Sequence, residues 1–296
     1  MGLFGKLFSK RIDPEAERIR QIFERAENDS KKPQGAYKMA LFGAETRLRL
    51  FRLIEEVETE IGQTSVGIAQ DVGVLMVHPK LTEAIQKQDD NGLLESALYL
   101  AFPTPDATRR LNEDWPSTVG KYRGQQNTEE LLREKSFLLT TFIVYNLDIA
   151  STIYAQSHKN GPDLSDEQEI CIKLEEAACW NRVVSELALR YIGEDRQLFT
   201  AYLQDNFANF LARQGASPDA ICSIMADRIE EYFKYQKWMA EGEEGRGGTL
   251  MWEAAKHVGE PIGGSEDDFF LTAFGFYFVR RVYQALIYEL LTGRNN

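Results

Sequence analysis

Cysteine and histidine are scarce in this chain, with three of each among 296 residues. Cys171, Cys179 and Cys222 are odd in number and form no C-x-x-C pair, so a disulfide framework is not expected and a reducing, cytoplasmic setting is. None of His78, His158 and His257 follows a glutamate at an offset of three, the pairing that carboxylate-bridged di-iron bundles use. No metal and no cofactor is implied. Positive charge is also short: 34 Lys and Arg against 46 Asp and Glu leave a net charge of -12. Phosphate backbones would be repelled, and no long Lys/Arg run lies beyond the opening residues, so nucleic acid is not an expected partner. Long apolar runs are missing as well. The best, Phe269 to Val279, ends at Arg280 and Arg281, well under the roughly 18 residues a spanning helix needs. A secretory signal is not expected, because Lys6 interrupts the first apolar stretch and Lys10 and Arg11 close it. Lys6 also stands where an N-myristoylation pattern wants Ser or Thr.

What the chain does contain is helix punctuation. Asp13-Pro14-Glu15 opens a helix carrying Ile19, Ile22, Phe23 and Ala26 on one stripe. The break from Lys31 to Gly35 precedes a long helix over 36–61, stopped by Gly62. Residues 65–78 carry opposing signals: Gly67 and Gly73 weaken a helix while Val66, Ile68, Val72, Val74 and Val77 favour extended chain. A helix is the expectation there, ended by His78-Pro79. Short helices follow to Gln88 and over 93–102. The polar, glycine-bearing stretch 115–127 reads as a joint between subdomains. Asn127 is expected to cap a helix running to His158, and Ser165 with Gln168 forms a capping box for the next, through Tyr191. Further helices are expected over 195–213, 218–241, 250–258 and 266–291, the second opened by Ser217-Pro218-Asp219. The sum is an all-α bundle of roughly ten helices without significant β-sheet, joined by short connections. Residues 1–12 stand apart as a basic amphipathic segment from the helical body, 13–296.

Few constellations suggest chemistry. Thr141, Tyr145, Asp148 and Thr152 share one face of the helix that opens near Asn127, with Asn146 and Ser151 nearby, and would line a polar pocket if that face turned inward. The plainer reading, and the favoured one, makes the strip a solvent face continuing Glu134 toward Gln156 and Lys159. Glu253 and His257 are one helical turn apart, a spacing that permits a shared proton but more commonly marks a surface pair. Asp267-Asp268 departs from the aspartate-rich motif of terpenoid synthases at Leu271 and reads as helix-opening acid after Ser265. Gly242 to Gly248 lacks the Lys-Ser/Thr ending of a phosphate loop. The aromatic last helix is read as buried, with Arg280 and Arg281 snorkelling or paired to carboxylates; a dimer surface is the alternative. The cysteines are read as buried filler.

One segment points outward. At about 100° per residue, Leu3, Phe4, Leu7 and Phe8 fall on one helical face with Lys6 and Lys10 at its edge, a pattern that suits a membrane surface or a partner's groove. Arg11 would enter the apolar face, so the pattern ends near Lys10. The functional expectation is a non-enzymatic protein-interaction protein, with an anionic membrane surface as a second contact and self-association as a third. The alternative is a helical ligand-binding protein or enzyme using the strip around Asp148. A further option is that the four apolar side chains dock on the protein's own body.

Overall fold

The computed structural model describes residues 44–61, 109–144, 147, 164–237 and 247–293. Every regular element among them is helical, so the all-α expectation holds. In chain order these are α1 (Ala44–Ile61), a π turn (Arg110–Asp114) running into α2 (Trp115–Lys121), α3 (Glu129–Val144), α4 (Asp166–Ile192), α5 (Arg196–Arg213), α6 (Pro218–Tyr232), α7 (Leu250–Gly259) and α8 (Glu266–Thr292). Seven of them reach ten residues or more among the described residues, fewer than the roughly ten expected for the chain. The helices expected before residue 36 and over 65–102 lie outside the described residues.

Local capping sets several boundaries. Ser165 Oγ accepts from Gln168 N while Gln168 Oε1 accepts from Ser165 N at 2.9 Å, closing the capping box at the start of α4. Ser265 and Asp268 repeat the exchange at α8, which confirms Asp268 as helix-opening acid. Ser217 accepts from Ala220 N, and Pro218 sits in the first turn of α6, where its missing N–H costs nothing. At α3 the cap is one residue later than expected. Thr128 Oγ1 accepts from Leu131 N at 3.2 Å, and Asn127 instead accepts from Lys135 Nζ at 2.9 Å.

Tertiary contacts decide the ends that local signals miss. The sequence signals carry α6 to residue 241, but it stops at Tyr232, whose carbonyl accepts from Arg182 Nε of α4. Lys237 O then accepts from Leu250 N at the start of α7. Within the stretch 115–127 the chain forms α2 and then a turn at 122–124, and buried Trp115 donates through Nε1 to Glu289. α8 ends at Gly293, whose φ of +64° is left-handed and whose missing Cβ would sit 3.3 Å from Arg123 Cα, so the helix terminus packs directly on that turn.

α4 and α8, each 27 residues, are the two axes of the bundle. Trp180 stands edge-on between Phe276 and Tyr283, at centroid distances of 5.8 and 4.7 Å, and Tyr191 meets Tyr288 at 5.1 Å, so the two helices run side by side in the same direction. Edge-to-face pairs of this kind add about 0.5–1.5 kcal/mol each beyond their buried area. α1 lies antiparallel on α8, pairing Arg49 with Glu289 and Glu58 with Arg281. α7 packs against both axes, α6 against α4 and α5, and α3 mainly against α5. From Asp268 to Leu291 the described side chains of α8 are buried on every side of the helix, as its composition predicts, and the pairing of Arg281 with a carboxylate is the expected way to bury it. No helix among the described residues is long and apolar enough to cross a membrane.

Candidate functional site

Titratable groups converge where α4, α6 and α7 meet. Glu175, nearly inaccessible on α4, accepts from Arg228 Nε at 2.8 Å and lies 3.4 Å from the Tyr232 hydroxyl. Arg228 Nη1 also donates to Glu231 at 3.0 Å. Glu231 in turn accepts from the Tyr235 hydroxyl at 2.9 Å and faces His257 Nε2 of α7 at 3.0 Å; since a carboxylate only accepts, that nitrogen carries the proton. Burial alone would raise the Glu231 carboxyl, but hydrogen bonds from His257 and Tyr235 and the charges of His257 and Arg228 outweigh it and hold the group below the usual range. Burial likewise works against the Arg228 charge, and the Glu175 contact outweighs it.

His257 therefore pairs across helices and not along its own. Glu253, the partner that spacing suggested, accepts from Gly248 N at 2.7 Å. Sequence reasoning missed Glu175–Arg228 and Glu231–His257 because 53 and 26 positions separate the partners. A signal was present: Glu175 and Glu176 interrupt a run of buried apolar positions between Leu174 and Ala177. Each carboxylate here already receives two or more donors, so the arrangement ties three helices together.

The thiols are poorly placed for chemistry with it. Cys171 is half-buried and its thiol is pushed up by burial and by Glu175, while Cys179 is fully buried and pushed far up, mainly by burial. Cys222 is exposed, against the expectation of buried filler. Among the described residues no group of three or more His, Cys, Asp or Glu is arranged to hold a metal ion.

Two further features stand out. Lys135 is buried to 2 % exposure on α3, with its ammonium on Asn127 Oδ1 and 5.8 Å from the Tyr122 ring centroid; burial lowers its pKa. No carboxylate among the described residues pairs with it. On α4, Asn181 is fully buried, yet neither its Oδ1 nor its Nδ2 has a hydrogen-bond partner among the described residues. Trp180 Nε1, Ser185 Oγ and Thr272 Oγ1 are in the same condition. Each buried polar group left unpaired costs about 1–3 kcal/mol, and native interiors contain few of them.

Of the polar strip read from sequence, Thr141 is half-buried on α3. Tyr145, Asp148 and Thr152 lie outside the described residues, as do Leu3, Phe4, Lys6, Leu7, Phe8 and Lys10. No protein-family model, curated protein or solved structure matches the chain.

Proposed function

We propose that this is a helical interaction protein of the cytoplasm that engages a protein partner and lies at an anionic membrane surface through residues 3–10. The observation that carries the reading is the alignment of Leu3, Phe4, Leu7 and Phe8 on one face with Lys6 and Lys10 beside it, in a chain whose net charge is -12. An acidic body is repelled by an anionic bilayer, so a basic apolar segment is the part suited to approach it. The body supplies a complementary argument. Glu58, Glu175, Glu231, Glu289 and His257 all act as ties between helices, which assigns them a structural use.

Co-sedimentation with phosphatidylcholine vesicles, with and without phosphatidylserine, tests the membrane contact. The full chain is expected to sediment with the anionic vesicles and a variant beginning at Ile12 to remain in the supernatant; equal recovery of the two removes the membrane contact. Capture from native lysate with the same pair then shows whether the protein partner needs the segment. A second reading, a small ligand held within the bundle, gains support from the unpartnered polar groups of α4 and not from the strip at Asp148.

A further inference from the structure

Leu174, Ala178, Asn181, Ser185, Ala188 and Ile192 follow one another at alternating steps of four and three, which sets them on a single line along α4. All six are buried. The line begins and ends with a large aliphatic side chain, and its middle consists of two alanines, an asparagine and a serine. Ile170, one turn before Leu174, reaches the turn after α5, where its Cδ1 would lie 3.6 Å from a Cβ at Gly215. A row of small residues ordinarily serves close helix approach. Close approach would bring hydrogen-bonding groups onto the two polar residues in its centre, and among the described residues neither Asn181 nor Ser185 has a side-chain hydrogen-bond partner.

We infer that this middle stretch of α4 holds a neutral, hydrogen-bonding guest within the bundle, gripped by Asn181 and Ser185. The two side chains are one helical turn apart, with Cβ atoms about 5–6 Å from each other. Together they offer the amide's two donors and its acceptor oxygen, plus a hydroxyl that both donates and accepts. The guest is neutral because no charged side chain shares the line: Glu175 and Arg182 lie on another side of the helix and are engaged with Arg228 and Glu186. Ordered water and a small molecule bearing a hydroxyl or carboxamide share this chemistry.

Thermal unfolding of the full chain tests the site through Ser185→Ala, Asn181→Leu and the double variant. With a guest in place, each single change removes part of its grip and lowers Tm by about 2–4 °C, while the double falls little further than the worse single, because both side chains hold the same molecule. If the two groups are simply unsatisfied, removing them relieves a cost and Tm rises in both singles; that result overturns the proposal, and so does a fall that is fully additive. Ser185→Ala deletes one oxygen only, so it gives the sign even if leucine at position 181 prevents folding. Refolding the full chain from guanidinium into plain buffer distinguishes the sources. An unchanged Tm assigns water; a lower Tm that acetamide restores in the wild type, but not in Asn181→Leu, assigns an organic guest.

Discussion

Arg281 holds both carboxylate oxygens of Glu58, with Nε 2.5 Å from one and Nη2 2.9 Å from the other, across 223 positions of sequence. The arginine is fully buried and the glutamate partly so. Such a pair is weak as a source of net stability, since desolvation offsets attraction, but removing the carboxylate takes two acceptor oxygens from a buried guanidinium. Glu58→Ala is therefore expected to cost about 3–5 kcal/mol in urea unfolding. The double change Glu58→Leu, Arg281→Met should recover most of that loss. Equal destabilisation by the single and double variants would show that the guanidinium was never desolvated.

The acid limit of stability follows from Glu231. Its folded-state pKa lies below the ordinary glutamate value of 4.5, so the unfolded chain binds the proton more readily. Its contribution is complete above that value and is lost as pH falls through the depressed one. Urea midpoints measured from pH 6 down to about pH 3 should decline more steeply for the wild type than for Glu231→Gln. Parallel declines would place the titration elsewhere.

Lys135 has the opposite bearing on neutral conditions. Burial lowers its pKa from 10.5, so near pH 7 folding works against the charged form, and the penalty fades as pH rises toward the unfolded value. Lys135→Met keeps the aliphatic stem and removes the charge. It is expected to raise Tm at pH 7 by about 2–4 °C. That advantage over the wild type should narrow as the pH approaches 10.5. A lower Tm at pH 7 would mean that the Asn127 and Tyr122 contacts outweigh desolvation.

The three thiols should separate by rate under Ellman's reagent. Cys222 is exposed and is expected to react first, half-buried Cys171 more slowly, and buried Cys179 only on unfolding. Cys222→Ser removes the fast phase and leaves the denatured total one thiol lower. Simultaneous reaction of all three in native buffer would contradict the burial of Cys179.

Sequence disclosed what a few neighbouring residues decide. The capping boxes at Ser165 and Ser265 and the Ser217-Pro218 start sit where local chemistry puts them, because partners three residues apart need no tertiary context. The burial of α8 was legible from its aromatic composition, and the need to pair Arg281 followed from it. Hidden were the features that depend on a distant helix. The last carbonyl of α6 is bonded by Arg182, some fifty residues earlier. His257 is claimed by Glu231, not by the glutamate one turn away. For the polar stretch of α4, spacing places Asn181 and Ser185 on one face, but only the neighbours show that neither has a side-chain hydrogen-bond partner among the described residues. Within the strip around Asp148, Thr141 is the described member.

Glu289 receives Arg49 from α1 and Trp115 from α2, 240 and 174 positions away in the chain. During synthesis α1 therefore leaves the ribosome long before the helix that covers it exists. At about 5–20 residues per second, its row of Leu50, Leu53, Ile54 and Val57 waits roughly 10–50 s for α8. Glu289 thus closes contacts that α1 and α2 cannot make until α8 itself has emerged.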